Sequence, residues 1–193
     1  SATETITITI TGTNDVPVIT GTVEGNMTED DATFSENLNA TDPDEGDSII
    51  WSIEESNGDF GSMAINDTGT WTYTLSNEVV QNLNEGITCS DEFIVKATDN
   101  NGGFTSQKIN MTITGINDIP EIGGKITGEV KKNEIGTVSG NITITDADND
   151  NHTTSHTNVS FGTVTLSDKT WTYTLNNDNS DVQELNTGYS LED

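Results

Sequence analysis

One short motif occurs twice in the 193-residue sequence, and this repeat constrains the fold more than any other feature. Gly12-Thr13-Asn14-Asp15-Val16-Pro17 returns as Gly115-Ile116-Asn117-Asp118-Ile119-Pro120. In each copy a Thr/Ile run enters a glycine, an Asn-Asp pair offers side-chain oxygens, and a proline ends the ladder because it lacks an N–H donor. The spacing, about 100 residues, is the commonest domain size. The motif therefore predicts joints between repeated domains.

The charge of the chain excludes several classes of partner. Asp and Glu number 33 against 6 Lys and Arg, which gives a formal charge of −27. Proteins that bind nucleic acid or anionic membranes need basic patches, so we predict neither partner. No apolar run approaches the ~18 residues of a membrane helix, so we also predict no membrane insertion. Clustered carboxylates repel one another, and a bound cation would remove that repulsion.

Period-2 alternation predicts strands and argues against the disorder that a polar, acidic composition would otherwise suggest. Residues 5–11 alternate Thr and Ile, which predicts a strand with Ile6, Ile8 and Ile10 on one face. The same pattern precedes the second joint, so we assign residues 1–12 to the last strand of a preceding repeat. Its unpaired edges would allow pairing with another repeat, or strand exchange and homo-polymer formation through residues 5–11.

The first complete repeat, residues 13–114, contains seven predicted strands with turns at roughly ten-residue spacing, which is typical of an antiparallel sandwich. These strands cover residues 18–23, 32–40, 48–53, 62–65, 70–75, 87–98 and 104–114. Residues 66–69 form a predicted hairpin turn that leaves Trp71, Tyr73 and Leu75 facing inward. Residues 77–86 lack alternation and predict one or two helical turns closed by Gly86.

The second repeat, residues 115–193, copies the first with small insertions and deletions, which indicates that the two halves are homologous. Trp71-Thr72-Tyr73-Thr74-Leu75 returns as Trp171-Thr172-Tyr173-Thr174-Leu175. Asp193 aligns with Asp91, so residues 115–193 lack counterparts of the last two strands. We expect the core face of this repeat to be open unless other strands cover it.

Two acidic turns carry the strongest chemical signal. The first is Asp42-x-Asp44 with Asp47, and the second is Asp146-x-Asp148 with Asp150. Alternate Asp residues on a turn direct several oxygens at one volume, which suits calcium and its six to eight oxygen ligands. The second turn is no EF-hand, because Asn151 and Thr157 replace the required glycine and glutamate. The alternative at each turn is a solvated acidic loop.

The joints, the acidic turn and the Val95-Lys96-Ala97-Thr98-Asp99 run together resemble cadherin-like repeats, most closely the bacterial VCBS repeats. This resemblance implies tandem immunoglobulin/cadherin-like β-sandwiches, an all-β fold, in giant secreted adhesins of the RTX type, with Ca²⁺ at each joint. It also implies a set of ligands for each repeat, and it implies that Glu29 faces the second joint. The implied ligands are Asn14, Asp15, Asp42, Asp44 and Asp99 in the first repeat and Asn117, Asp118, Asp146 and Asp148 in the second.

From these features we predict a non-enzymatic extracellular spacer, at a bacterial cell surface or secreted, whose partners are neighbouring repeats of its own chain. It would extend a distal binding domain for cell adhesion or biofilm attachment. Two alternatives remain open from the sequence. One is a module that binds carbohydrate or protein through its loops, and the other is an accessory domain of a secreted hydrolase.

Overall fold

A computed structural model describes residues 3–134, 136–148 and 150–193. These residues form two compact units, which divide between Ile116 and Asn117. Both units consist of β-strands with one short helix each, so the predicted all-β class is confirmed. Two positions of the predicted segment 1–12, Ser1 and Ala2, and one of the second acidic turn, Asn149, lie outside the described residues.

The first unit is a sandwich of two four-stranded sheets, with strand orders β1-β3-β6-β5 and β2-β8-β7-β4. Its core is apolar and aromatic and lies between the inner faces of the two sheets. Its elements are β1 Val18–Gly21, β2 Glu24–Thr28, β3 Thr33–Thr41, β4 Ile50–Ile53, β5 Gly61–Ile65, β6 Thr70–Leu75, α1 Asn77–Val80, β7 Thr88–Thr98 and β8 Phe104–Thr114.

The first unit has eight strands rather than the predicted seven, because β2 forms at residues 24–28, between the first two predicted strands. β1 pairs with β3 in one sheet, whereas β2 pairs in parallel with β8 in the other. Gly21 stands at this change of sheet with φ +123°, and a Cβ there would lie 2.5 Å from the Asn37 carbonyl oxygen. The predicted antiparallel β-sandwich is confirmed for the first unit, and β2 with β8 is the one parallel pair among the described strands.

The predicted hairpin around residues 66–69 is confirmed. The Asn66 side-chain oxygen accepts hydrogen bonds from the Thr68 and Thr70 amides at 3.0 and 2.9 Å. Gly69 has φ +84°, a conformation that favours glycine. The turn places Trp71 and Tyr73 on the inner face of β6, where both are fully buried. A period-2 aromatic pattern thus builds the centre of the core.

Asp91 is a buried carboxylate that ties the loop before β5 to the core. It accepts hydrogen bonds from the Tyr73 hydroxyl at 2.7 Å and from the amides of Asp59 and Phe60 at 2.8 and 3.1 Å. Burial, followed by the hydrogen bond and charge of Asp91, raises the pKa of Tyr73 well above its usual value. Tyr73 therefore keeps its proton and remains a donor at any physiological pH.

The second unit contains a single four-stranded sheet in its described residues, with order β11-β12-β10-β9. Trp171 and Tyr173 are only half-buried in it, unlike their counterparts in the first unit. Its elements are β9 Glu121–Gly124, β10 Thr137–Thr145, β11 Gly162–Ser167, β12 Thr170–Leu175 and α2 Ser180–Glu184.

Asp193 repeats the role of Asp91 in the second unit. It accepts hydrogen bonds from the Tyr173 hydroxyl at 2.8 Å and from the Phe161 amide at 2.9 Å. Burial, followed by the Asp193 contact, raises the pKa of Tyr173 to about 12. Burial opposes ionisation of Asp193, but hydrogen bonds from Ser160, Tyr173 and Phe161 outweigh it and lower the pKa of this carboxyl. The two aligned residues, Asp91 and Asp193, thus make the same contact, a hydrogen bond from the hydroxyl of the equivalent tyrosine.

Residues 5–11 do not form the predicted strand. They belong to no ladder, and Ile6, Ile8 and Ile10 are 86%, 80% and 92% exposed. A strand satisfies its backbone groups only beside a partner, and no described strand lies alongside this segment. The alternation of Thr and Ile therefore gives this segment one polar and one apolar face, but no described strand pairs with it or covers the isoleucines. Pairing with another repeat or another chain stays a prediction.

The Asp91 contacts predict a large loss of stability when the carboxylate is removed. Asp91→Ala leaves two amides and a buried hydroxyl without their acceptor, and we expect the free energy of unfolding to fall by on the order of 3 kcal/mol. Tyr73→Phe removes one of the three bonds and should cost about 1 to 2 kcal/mol. Urea denaturation of both variants measures these losses.

Asp59→Ala is the matched control, because the Asp59 side chain is exposed and contributes only its backbone amide to this contact. A loss in Asp91→Ala no larger than in Asp59→Ala would contradict the structural role assigned to Asp91.

Candidate metal sites

The predicted ligands of the first unit meet at one end of the sandwich. β1 and β3 are antiparallel with Val18 opposite Thr41, so the joint before β1 lies beside the acidic turn after β3. The turn between β7 and β8 reaches the same place, because the Asn14 amide nitrogen donates to Asp99 at 2.9 Å. Three segments far apart in sequence therefore bring their oxygens to one end of the unit.

The acidic turn concentrates negative charge in a small volume. One carboxylate oxygen from each of Asp42, Asp44 and Asp47 lies within 4.8 Å of the others. The Asp44 amide donates to Asp42 Oδ1 at 2.9 Å, which closes a local turn. Carboxylates this close repel one another, and a cation between them would offset the repulsion.

The joint is attached to the acidic turn by its backbone. The Asp15 amide donates to Asp44 Oδ2 at 2.8 Å. The Asn14 side chain also bonds to the Asp15 carbonyl at 2.7 Å, which holds the Asn-Asp pair in one conformation. The position of the chain entering β1 is thus set by Asp44, a predicted metal ligand.

Asp99 is held ionised by its neighbours. The Asn14 side chain is the main cause that lowers the pKa of Asp99, and although partial burial opposes it, the amides of Asn101 and Gly103 lower the pKa further. These amides donate to Asp99 Oδ1 at 2.8 Å each. The other oxygen accepts from Asn14, so hydrogen bonds orient both oxygens of this carboxylate.

Asp42 offers the observation that tests whether a metal fits. Its Oδ2 is buried and has no hydrogen-bond partner among the described residues, whereas its Oδ1 accepts the Asp44 amide. A buried carboxylate oxygen without a partner is costly, and coordination to a cation would satisfy it. The donors here are all oxygens, which hard cations such as Ca²⁺ prefer. Asp42, Asp44 and Asp47 would hold such an ion.

The second unit repeats this geometry at matching positions. The Asp118 amide donates to Asp148 Oδ2 at 2.8 Å, and the Asp148 amide donates to Asp146 Oδ1 at 2.9 Å. The Asn117 side chain bonds to the Asp118 carbonyl at 2.7 Å, as Asn14 does to Asp15. His152 Nε2 lies 3.5 Å from Asp146 Oδ2. Asp150 is exposed, and it is not among the described acidic residues whose oxygens cluster within 4.8 Å of one another. Its role as a metal ligand stays a prediction.

Glu29 lies at the opposite end of the first unit from the acidic turn. It follows β2, whose last residue Thr28 pairs with Thr114. Its amide donates to the Thr114 carbonyl at 3.1 Å, and its Oε1 accepts the Ile116 amide at 2.7 Å. The structure therefore places this carboxylate beside the residues that lead into the second joint. That it supplies a ligand there stays a prediction.

Two asparagines of the β7–β8 turn were missed by the sequence analysis. Asn101 donates its side-chain amide to Asp47 Oδ2 at 3.0 Å, and Asn100 accepts the Ser48 amide at 2.8 Å. Together they attach the β7–β8 turn to the segment that contains Asp47. The sequence feature that could have identified these two asparagines is the Asp99-Asn100-Asn101 run, because Asp and Asn side chains in turns commonly bond to nearby backbone.

A family model described as "bacterial cadherin-like domain" matches residues 14–115, more than half of the chain. The chain belongs to this family. The predicted cadherin-like identity is therefore confirmed. The family consists of extracellular adhesion and structural domains rather than enzymes, and cadherin domains typically bind Ca²⁺.

Several solved structures that resemble this chain contain cadherin domains. Protocadherin gamma B7 extracellular cadherin domains 1–4 are 16% identical with a TM-score of 0.45, covering 83% of this chain and 41% of that one. Mouse cadherin-23 domains EC22–24 are 15% identical with a TM-score of 0.40, covering 85% of this chain and 55% of that one. This cadherin-like chain thus spans about half the length of these structures or less. No curated protein matches it.

None of the helices in the described part of this cadherin-like chain is long and apolar enough to cross a membrane.

The unsatisfied oxygen of Asp42 predicts a specific loss of calcium affinity. Asp42→Asn keeps the shape of the side chain but removes charge from the buried acidic group, so we expect the dissociation constant for Ca²⁺ at this site to rise at least about tenfold. Calorimetric titration measures the change.

Asp67→Asn makes the same chemical change at an exposed turn outside the acidic group, and its calcium binding should equal that of the wild type. Equal affinity in all three proteins would contradict a site at Asp42.

Proposed function

We propose that this chain is an extracellular spacer in which calcium at the start of each repeat stiffens the joint. The observation that carries the proposal is the duplicated bond from joint to acidic turn, Asp15 to Asp44 and Asp118 to Asp148. In both units the oxygens that a cation would bind also hold the backbone of the joint. Binding at the turn would therefore limit the directions that the joint can take.

In this proposal residues 13–114 and 115–193 are successive repeats, and residues 1–12 end a preceding one. The strongly acidic charge and the duplicated joint are consistent with a VCBS-type array in a bacterial adhesin of the RTX type, at the cell surface or secreted. Repeats of this kind would hold a distal binding domain away from the surface during adhesion or biofilm attachment. Their partners would be neighbouring repeats.

The energetics suit a calcium-dependent spacer. Extracellular calcium modules have dissociation constants of about 0.1 to 1 mM, and ten- to hundredfold excess calcium stabilises the bound state by roughly 1 to 3 kcal/mol per site. That range would let a calcium-rich exterior stiffen the array without making the fold itself depend on metal, because the core of the first unit is aromatic and aliphatic.

Small-angle scattering tests this proposal. Asp44→Ala should change the melting of the calcium-free protein little, because Asp44 is half-buried and lies outside the hydrophobic core of the first unit. Asp148 is only 4% exposed, so thermal melting must show that Asp148→Ala remains folded. In calcium, Asp148→Ala should show a broader distribution of dimensions than the wild type, because its joint links the two units. Asp44→Ala should show a smaller change, because in this chain its joint carries only residues 1–14. Asp67→Ala, at an exposed hairpin turn, is the control for the loss of one carboxylate.

If the wild type and both variants give the same distribution in saturating calcium, calcium does not stiffen the joints and the spacer mechanism is wrong.

A further inference from the structure

The first unit contains only two basic residues, and both lie on the same surface. Lys96 on β7 and Lys108 on β8 belong to the outer face of the β2-β8-β7-β4 sheet. The whole chain carries 33 acidic residues and a formal charge of −27. We name this surface the lysine face and define it by Ile50, Ile94, Lys96, Phe104 and Lys108.

Exposed apolar side chains surround these lysines. Ile50 and Phe104 lie in one row across three strands, because each is opposite Thr98 on β7. Ile50 is 64% exposed and Phe104 is 51% exposed. Contiguous apolar surface rimmed by polar groups is typical of a protein contact.

Lys96 has no acidic partner within the described residues. Its ammonium lies 3.5 Å from the centroid of the Phe104 ring, whereas Lys108 pairs with Glu92 at 2.8 Å. In so acidic a chain, a lysine that sits on an exposed aromatic ring instead of a carboxylate leaves a cation available to a second molecule. Such a cation over an aromatic ring attracts a carboxylate while the ring excludes water.

The opposite surface of the first unit differs from the lysine face in its charge and in its polarity. The outer face of the β1-β3-β6-β5 sheet presents Ser, Thr and Asn, and these side chains bond to one another. For example, the Ser35 and Thr72 hydroxyls lie 2.8 Å apart, and Thr70 donates to Asn37 at 2.8 Å. That surface carries no lysine, and its exposed large apolar side chain, Val18, lies on β1 at the sheet edge opposite Thr41. Its centre, around Ser35 and Thr72, is polar and is a suitable control.

We propose that the lysine face binds a carboxylate-bearing surface of a second copy of this chain. Charge complementarity favours this occupant, because the lysine face carries both cations of the first unit and the rest of the chain is acidic. The charged side chains of this sheet face, Glu24, Glu92, Lys96 and Lys108, sum to zero, so a second acidic chain meets less repulsion here than elsewhere.

Sedimentation velocity on the full chain tests the proposal, over concentrations up to roughly 1 mM so that weak association is detected. The wild type should dimerise reversibly. Phe104→Asp and Lys96→Gln should each raise the dimer dissociation constant at least about tenfold, as expected for the loss of an interface anchor. Thermal melting of each variant shows whether it remains folded.

Thr33→Asp is the matched control, because Thr33 and Phe104 are both exposed and both begin a strand, on opposite sheets. All three variants lower the net charge by one, so general repulsion between chains changes equally. Thr33→Asp should dimerise like the wild type. A wild type that stays monomeric, or association that Phe104→Asp or Lys96→Gln leaves unchanged, overturns the proposal.

Discussion

The hydrogen bond from the joint backbone to the acidic turn is the contact on which the candidate sites depend. Asp44 accepts the amide of Asp15, and Asp148 accepts the amide of Asp118, each at 2.8 Å. This bond forces the chain that enters each unit to pass beside clustered carboxylates. Without a cation the clustered carboxylates repel one another. A bound cation would neutralise them, and because the same carboxylates hold the joint backbone, it would also fix the direction of the joint.

The local structure of the first unit could be predicted from the sequence to the extent that periodicity and turn chemistry determine it. Alternation identified β6 and its inward aromatic residues, and Asn66 with Gly69 identified the hairpin before it. Alternation could not show that β1 and β2 join different sheets, because that depends on Gly21 and on a long-range parallel pairing with β8. Nor could it supply a partner for residues 5–11, which remain outside any ladder.

The site could be predicted only where the signal was local. The Asp42-x-Asp44 spacing with Asp47 indicated three carboxylates on one turn, and one oxygen of each does lie within 4.8 Å of the others. The aligned position of Asp91 gave no hint that this residue is buried under Tyr73, because nothing near it in sequence distinguishes it from an exposed acid. Such long-range contacts require the fold before they can be identified.

In the proposed mechanism Asp42 Oδ2, a buried oxygen without a hydrogen-bond partner among the described residues, is a calcium ligand. Anomalous diffraction from crystals grown in saturating calcium tests it most directly. We expect a calcium peak in the group formed by Asp42, Asp44 and Asp47, about 2.3 to 2.6 Å from Asp42 Oδ2. If those crystals show no anomalous peak at the turn and that oxygen bonds to water instead, Asp42 is not a calcium ligand.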